Sequence, residues 1–272
     1  MNVIPALAQL HPGAPRLTQR DQPLTMTKGN DEEADEYDSE PEADGSNETI
    51  GLFGAHGATG KHFVKLALDA GYSIQALAPS AQSVELQNEQ LTVIQGSMDD
   101  VDKIEQVITG ATFVVCMLGD TLPNRREYKE NCLLDFVKNL YPLMQESSVT
   151  LFLYQANSLT NDLQGKAPIF SRIIKATINL FGIYPFVREH DNVVKYIVEN
   201  ANDYFHFIVT RPGILRNGPS KKRLTSSRSL PGPVPVTNAD LAEFSLGALM
   251  EEKLWDTTPF VVGDGKWQMS LS

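Results

Sequence analysis

The sequence GAHGATG at residues 54–60 constrains the fold of this chain more than any other segment. It follows a short apolar run at residues 49–53 and opens into a segment whose apolar residues recur with helical spacing. Glycines permit a tight turn and let a phosphate approach the backbone, while a helix N-terminus offers N–H groups and a partial positive charge to an anion. The strand, turn and helix start therefore predict a nucleotide-binding turn. The alternative is a turn whose glycines serve close packing alone.

Strand-like and helix-like segments alternate from residue 49 onward. We predict strands at about 49–54, 73–78, 91–95, 112–118, 149–154, 205–210 and 260–262, and helices at about 58–70, 99–110, 126–146, 167–181, 186–201 and 237–250. This alternation predicts an α/β fold with a doubly wound parallel sheet, whose ligand site lies at the carboxyl ends of the strands. A loop rich in Ser, Pro and basic residues is predicted at about 216–236. Trp255 and Trp267 are expected to pack a small C-terminal lobe on the substrate side.

The first 48 residues differ in composition from the rest. They hold eleven acidic and three basic residues, a net charge of −8, so only −3 of the formal charge of −11 is left for residues 49–272. Their Pro, Asp, Glu, Ser and Asn content without sustained periodicity predicts a disordered acidic tail. Residues 49–272 are predicted to form a single domain. The tail could bind a basic protein partner or could simply be solvated.

Composition disfavours several classes of function. No apolar run approaches the ~20 residues of a membrane-spanning helix, and the nearly balanced domain lacks the basic surface of a nucleic-acid-binding protein. Cys116 and Cys132 cannot form a disulfide framework, and His190 and His206 lack metal-ligand spacing. We expect no membrane, no nucleic-acid partner and no metal. A cytoplasmic location is predicted because no secretory signal is recognisable, and organellar import stays open.

Further motifs follow the glycine turn in order. They are QGSMD at residues 95–99, GATFVV at 110–115, TRPGIL at 210–215 and TNADLA at 237–242. With the turn, they are similar to the GATGxxG, GDxxD, GxDxVI, RPGxL and xxDVA motifs of extended and atypical short-chain dehydrogenases. Within that group the chain resembles the NmrA-like, NAD(P)H-binding members over about residues 49–264. The resemblance implies a Rossmann-like fold that binds NAD or NADP.

The resemblance also implies which residues hold the dinucleotide. Gly54, Gly57 and Gly60 are implied to approach the pyrophosphate and Thr59 to lie at the helix start, with His56 and Ala58 as further candidates in the same turn. Ser97 and Met98 are implied to flank the adenine, and Leu118 and Gly119 to run beneath the ribose and nicotinamide side. His56 could touch a phosphate, or could occupy a variable position of the motif without a role.

The end of the second predicted strand bears on the choice between NAD and NADP. An acid there would bond the ribose 2′-hydroxyl of NAD, and an arginine would pair with the 2′-phosphate of NADP. Residues 77–80 (LAPS) contain neither. Because no acid repels the phosphate, the sequence favours NADP, with Ser80 and Lys61 as candidate contacts, and NAD stays open.

The catalytic residues of the resembled family are only partly matched. Its serine at the end of the fifth strand falls near Ser158, and Gln155 and Asn157 could hydrogen-bond a carbonyl there. No Tyr-x-x-x-Lys is present in the sequence. The nearest pattern pairs Tyr184 with Arg188, and an arginine does not titrate near neutrality. Tyr184 could be an acid or an ordinary tyrosine at a helix start.

Two classes of function remain. The first is an NAD(P)H-dependent reductase of a small carbonyl, quinone, flavin or similar acceptor, in which the protein binds and orients and solvent supplies the proton. The second is a non-catalytic, dinucleotide-binding redox sensor or assembly protein, which the missing relay favours. A structural α/β protein that has lost nucleotide binding is a third class.

Overall fold

Strands and helices alternate along the part of the chain that the structure describes. The computed structural model describes residues 48–84, 86–118, 131–161, 184–220, 224–227 and 235–263. The strands are β1 (Thr49–Phe53), β2 (Ser73–Ala78), β3 (Leu91–Gln95), β4 (Phe113–Cys116), β5 (Leu151–Gln155), β6 (His206–Pro212), β7 (Leu215–Arg216), β8 (Leu224–Ser227), β9 (Val236–Thr237) and β10 (Phe260–Gly263). The helices are α1 (Ala58–Asp69), α2 (Val101–Ile108), α3 (Cys132–Gln145), α4 (Tyr184–Glu199) and α5 (Asn238–Ala248), with 3-10 turns at Ala81–Ser83 and Glu252–Leu254.

Eight of these strands form one sheet in the order β3-β2-β1-β4-β5-β6-β10-β8. Neighbouring strands run parallel, except that β8 is antiparallel to β10. β7 and β9 pair separately as a two-stranded parallel sheet. The chain builds outward from β1 to β3 on one side and then from β4 to β6 on the other. The strand order therefore reverses between β1 and β4, which is where such a sheet opens a crevice for ligands.

Apolar clusters cover both faces of the main sheet. One cluster joins the strands to α1 and α5, through residues such as Phe63 and Leu241. The other joins them to α2, α3 and α4, through residues such as Ile104, Phe136 and Val193. Every residue of β4 and β5 is buried. This two-sided burial explains why both strands are apolar runs rather than alternating patterns.

The predicted fold class, a doubly wound and mostly parallel sheet, is confirmed. The loop predicted at 216–236 is wrong in part, because residues 224–227 form β8 and pair antiparallel with β10 from Leu224↔Gly263 to Ser227↔Phe260. This edge strand has a single buried apolar residue, Leu224, so it carries no strand-like alternation. The predicted acidic tail, the predicted helix at 167–181 and Trp267 lie outside the described residues.

None of the helices in the described ranges is both long enough and apolar enough to cross a membrane. Trp255, near the end of the described chain, is partly buried against the cluster that contains α1 and α5. Its ring lies 4.7 Å from the ring of His206, centroid to centroid.

Candidate functional site

The glycine turn lies at the point where the strand order reverses. β1 pairs with β2 on one side and with β4 on the other, and the turn leaves the carboxyl end of β1. Gly54 has a φ of 101°, and a Cβ atom there would lie 2.7 Å from the carbonyl oxygen of Met117, just after β4. The N–H of Gly57 donates to the carbonyl of Gly54 at 2.9 Å and closes the turn. Only glycine fits this conformation and this approach to β4.

The third glycine of the motif serves packing. A Cβ atom on Gly60 would overlap the carbonyl oxygen of Gly54, so α1 rests directly on the turn that precedes it. Gly60 and Thr59 are buried, while His56 and Ala58 are exposed. The sequence left phosphate binding and close packing as alternatives. The geometry shows that Gly54 and Gly60 are required for packing, and this does not conflict with a role in binding.

The first turn of α1 has the features of an anion site. Its N-cap residue is Gly57, which has no side-chain cap, and no acidic residue lies in its first turn. By contrast, the side chains of Asp100 and Thr237 cap α2 and α5. Helix geometry leaves the first amide groups of α1 without acceptors inside the helix, and the helix dipole adds partial positive charge. A pyrophosphate at this place would accept hydrogen bonds from such amide groups and would be attracted by the partial positive charge.

Thr59 makes a contact that sequence reasoning missed. Its hydroxyl donates to Oδ1 of Asn238, the first residue of α5, at 3.1 Å. Nδ2 of Asn238 donates to Oδ1 of Asn217 at 2.8 Å. The side chain of Thr59 therefore joins α1 to α5 within the protein. Only the TNADLA motif marked Asn238, and it marked the residue as part of a helix start.

The residues predicted to flank the adenine follow β3. The N–H of Gly96 donates to the carbonyl of Ala78, which holds this loop beside the end of β2. Ser97 is exposed, and its carbonyl accepts the N–H of Asp100 at 3.1 Å. Met98 is half-buried against the cluster that contains α2. Ser97 and Met98 thus lie at the same end of the sheet as the glycine turn.

The residues predicted to run beneath the nicotinamide ribose follow β4. The N–H of Met117 donates to the carbonyl of Phe53 at 2.8 Å, so the chain after β4 stays beside the turn. Leu118 is half-buried against the second apolar cluster. Gly119 lies outside the described residues.

The three catalytic candidates occupy two elements. Ser158 is half-buried in the loop after β5, and its N–H donates to the carbonyl of Pro212 at 2.8 Å. Tyr184 is the first residue of α4, with its side chain outside the described atoms, and Arg188 is exposed one turn later. The N–H of Asn161 donates to Oδ1 of Asp191 at 2.8 Å and ties the Ser158 loop to α4. No described contact joins Ser158 to Arg188.

A buried tyrosine and histidine lie beneath this loop, and sequence reasoning did not select them. The hydroxyl of Tyr154, in β5, is 2.7 Å from Nδ1 of His190, in α4. Burial lowers the pKa of His190 from 6.5 to about 4. Burial is the main cause that raises the pKa of Tyr154 well above 10. Electrostatic repulsion from Cys116, Glu189 and Cys132 raises it further. Both groups are therefore uncharged near neutral pH, and both are sealed from solvent.

Glu189, beside His190, caps a neighbouring helix. Its Oε1 accepts the N–H of Leu133, in the first turn of α3, at 2.6 Å. The N-cap residue of α3, Asn131, has a φ of 66° and no side-chain cap of its own. Burial and the adjacent Glu189 carboxylate raise the pKa of Cys132 from 9.0 to about 11. The thiol is therefore protonated and unreactive at neutral pH.

Arg211, from the TRPGIL motif, is a structural residue. It is 3% exposed, and its guanidinium lies 3.8 Å from the centroid of the Phe260 ring. Nε donates to the carbonyl of Thr258 at 2.8 Å, and Nη1 donates to the carbonyl of Thr160 at 3.2 Å. These bonds hold β10 and the Ser158 loop against β6. Among the described residues, no three His, Cys, Asp or Glu side chains are grouped to hold a metal ion.

Comparison with solved structures identifies related folds. A short-chain dehydrogenase/reductase from Veillonella parvula in complex with NADP has 15% identity and a TM-score of 0.60, with 80% of this chain and 95% of that chain covered. An anaerobillin reductase from Escherichia coli has 15% identity and a TM-score of 0.60, covering 82% and 100%. An oxidoreductase from Lactococcus lactis has 15% identity and a TM-score of 0.59, covering 79% and 90%. At such identities the likeness establishes the fold alone.

The sequence itself identifies the family. No curated protein matches the chain significantly. A family model described as NAD(P)H-binding matches residues 54–252, from the first glycine of the turn to beyond α5. This match and the fold confirm the resemblance carried by the motifs, and the chain belongs to the NAD(P)H-binding family of Rossmann-fold proteins.

Proposed function

We propose that the protein is an NAD(P)H-dependent reductase of a small carbonyl, quinone, flavin or similar acceptor. The observation that carries the proposal is the N-terminus of α1, which has Gly57 at its N-cap and no acid in its first turn, behind a tight glycine turn at the strand-order reversal. Structural relatives described as reductases and oxidoreductases support it. The acceptor is proposed only as a chemical class.

In this proposal the dinucleotide lies across the carboxyl ends of β1, β3 and β4. The pyrophosphate lies against residues 54–60, which include the exposed Ala58. Ser97 and Met98 flank the adenine, and Leu118 and Gly119 run beneath the nicotinamide ribose. His56 is exposed in the same turn, and we propose its side chain as a phosphate contact.

We propose NADP in preference to NAD. The end of β2 continues as Ala78, Pro79 and Ser80, with no acid to repel a 2′-phosphate. Ser80 is half-buried and its backbone is extended. Its side chain makes no capping hydrogen bond to the 3-10 turn that follows. Lys61 is exposed in the first turns of α1. A neighbour solved with NADP supports the same choice.

The bound dinucleotide would supply the hydride, and the chain would bind, orient and exclude competing reactions. The phenol of Tyr154 is unsuited to proton delivery, because Tyr154 is fully buried and its pKa is raised well above 10. Solvent is the proposed proton source, with Tyr184 and Ser158 as the remaining candidates and Arg188 as a positive charge that could assist Tyr184. The sealed Tyr154 also favours the second function, a non-catalytic dinucleotide-binding sensor or assembly protein.

Dinucleotide binding is tested by titrating the full chain with NADPH and NADH in a calorimeter. The variant Ala58→Asp adds an acid to the first turn of α1, which favours the helix but repels a pyrophosphate. We expect it to retain its melting temperature and to lose most of its NADPH affinity. Ala58→Asn is the neutral control of matched size and is expected to bind. No saturable binding of either dinucleotide to the unaltered chain would contradict both functions.

Turnover separates the two functions. The unaltered chain would be mixed with NADPH and a panel of quinones, flavins and aldehydes, and oxidation would be followed by the loss of absorbance of the reduced nicotinamide. Oxidation that depends on the acceptor and is lost in Ala58→Asp supports the reductase. Tight binding with no oxidation by any acceptor class supports the non-catalytic protein.

A further inference from the structure

We propose that Asn238 is a positioning residue that couples the glycine turn to the loop at residues 213–220, so that this loop tunes dinucleotide affinity without touching the pyrophosphate. The inference rests on the dinucleotide binding proposed above. It is carried by a connected set of three side chains, Thr59, Asn238 and Asn217, that runs from the first turn of α1 through the start of α5 to the loop.

The first link is buried. Thr59 is fully buried and Asn238 is 4% exposed, and 3.1 Å separates Oγ1 of the first from Oδ1 of the second. Thr59 is the second residue of α1, within the turn whose amide groups would face the pyrophosphate. A hydrogen bond in the low-dielectric interior is strong and expensive to break. It therefore fixes the start of α1 relative to α5.

The second link uses the other end of the same carboxamide. Nδ2 of Asn238 donates to Oδ1 of Asn217, which is exposed on the loop, at 2.8 Å. A side-chain amide can accept from one partner through its oxygen and donate to another through its nitrogen, which an ionised carboxylate cannot do. An aspartate at 238 would keep the acceptor for Thr59 and lose the donor for Asn217.

A separate pair of bonds fastens the end of the loop to the same helix start. The hydroxyl of Ser220 donates to Oδ1 of Asp240 at 2.7 Å. Oδ2 of Asp240 accepts the hydroxyl of Thr237, the N-cap residue of α5, at 2.6 Å. The pairing of β7 with β9 holds the beginning of the loop beside Thr237 as well. The start of α5 is thus a common anchor for the loop and for α1.

Coupling through a common anchor is reciprocal. If an ordered loop favours the binding geometry of the turn, a bound dinucleotide must order the loop by the same free energy. The loop follows β6 at the carboxyl end of the sheet and exposes Ile214. A molecule that contacts this loop would consequently change dinucleotide affinity from a second place on the surface.

The affinity test uses the full chain with Thr59→Val, Asn217→Ala and Asn238→Asp. Thr150→Val is the matched control, because it removes a threonine hydroxyl bond at the opposite end of the sheet, to the carbonyl of Thr112. We expect each of the three variants to weaken NADPH binding by about twofold to tenfold, the range for one hydrogen bond. The double variant Thr59→Val with Asn217→Ala should lose less than the product of the single losses, and the control should bind as the unaltered chain does.

Hydrogen exchange tests the coupling directly. Saturating NADPH should slow amide exchange in residues 213–220 of the unaltered chain. In Asn217→Ala the same addition should protect residues 55–60 as before but should protect residues 213–220 less than in the unaltered chain, because of the described bonds only those of Ser220 and β7 still tie the loop to the start of α5. A residue with a merely structural role would lower stability without reducing this ligand-dependent protection.

The outcomes distinguish the inference from the function beneath it. NADPH binding to the unaltered chain, with unchanged affinity in Asn217→Ala and Asn238→Asp, overturns the coupling alone. Loop exchange in the unaltered chain that NADPH leaves unchanged does the same. Failure of the unaltered chain to bind either dinucleotide overturns the proposed function, and the coupling with it.

Discussion

The hydroxyl of Tyr154 lies 2.7 Å from Nδ1 of His190, and this bond joins β5 to α4 inside the core. Neither side chain is more than 2% exposed. Because burial disfavours charge, the phenol keeps its proton and the imidazole stays neutral near pH 7. The two side chains lie near the carboxyl end of β5, where a proton relay could stand. Because they are sealed from solvent, they contribute to packing of the core instead.

The neutral state of His190 makes stability depend on pH. Its pKa is about 4 in the folded chain against 6.5 as its ordinary value, so between these limits the unfolded chain binds more protons. The free energy of unfolding should therefore fall as pH drops from about 6.5 to about 4, by at most about 1.4 kcal/mol per pH unit from this group. Above pH 6.5 the contribution of His190 is constant.

Urea denaturation at a series of pH values between 4 and 8 checks this dependence. His190→Gln should flatten the pH profile between 4 and 6.5, in addition to any uniform loss of stability. His62→Gln replaces an exposed histidine on α1 in the same way and serves as the control for the substitution itself. A profile of His190→Gln that stays parallel to that of the unaltered chain would refute the account.

Comparison of Gly54 with Gly110 distinguishes two ways in which a side chain at positive φ lowers stability, backbone strain and steric overlap. Gly110 has a φ of 72° with nothing within 4 Å of an added Cβ, whereas Gly54 has a φ of 101° and the carbonyl oxygen of Met117 at 2.7 Å. Gly110→Ala should cost about 1–2 kcal/mol from backbone strain. Gly54→Ala should cost about 1–3 kcal/mol more, because the turn must also move away from β4.

Thermal unfolding of both variants, with NADPH affinity measured on the folded fraction, checks this comparison. We expect Gly110→Ala to bind NADPH as the unaltered chain does and Gly54→Ala to bind it more weakly. Equal stability losses in the two variants would show that the approach to Met117 is not limiting.

The cofactor preference is testable at Ser80. A carboxylate at the end of β2 would accept the ribose 2′-hydroxyl of NAD and repel the 2′-phosphate of NADP. Ser80→Asp should therefore shift the ratio of NADPH to NADH affinity toward NADH by about tenfold, the scale of one charge pair near a surface. Gln82→Glu introduces the same charge two residues later, on an exposed side chain, and should leave the ratio nearly unchanged. Equal shifts in both variants would mean that Ser80 does not face the 2′-position.

Local patterns in the sequence were enough to predict the sheet and the turn. The strand and helix periods, with glycines at the right spacing, depend only on neighbouring residues and on burial of one or both faces. The edge strand β8 was not predicted, because an edge strand buries few apolar residues and so shows no strand-like pattern in the sequence. The motif with Arg211 was recognised, but its role in fastening two carbonyls could be seen only in three dimensions.

The side-chain contacts of the site join residues that are distant in sequence. Thr59 and Asn238 are separated by 179 positions, and Tyr154 and His190 by 36. No periodicity within one element reports such pairs, since each depends on how α4 and α5 pack on the sheet. The cofactor-binding and catalytic assignments, including Gly119 and the side chain of Tyr184 outside the described atoms, stay predictions that the experiments above address.

The carboxylate of Glu189 contributes to the low reactivity of Cys132. Burial is the larger cause of the raised thiol pKa of about 11, and the Glu189 charge is the next. Glu189→Gln keeps an oxygen that can accept the N–H of Leu133 but removes the negative charge, so the pKa of Cys132 should fall part of the way toward 9. The thiolate fraction at pH 8.5, and with it the rate of alkylation by iodoacetamide, should then rise several-fold, up to about tenfold per unit of pKa.

Mass spectrometry of the alkylated chain would give the rate at Cys132 separately from the fully buried Cys116, which serves as the internal control. Glu189→Ala removes the acceptor as well as the charge and should destabilise α3 more than Glu189→Gln does, because the first turn of that helix has no cap of its own. Faster alkylation of Cys116 to the same extent would indicate general opening of the core. An unchanged rate at Cys132 in Glu189→Gln would show that burial alone keeps the thiol protonated.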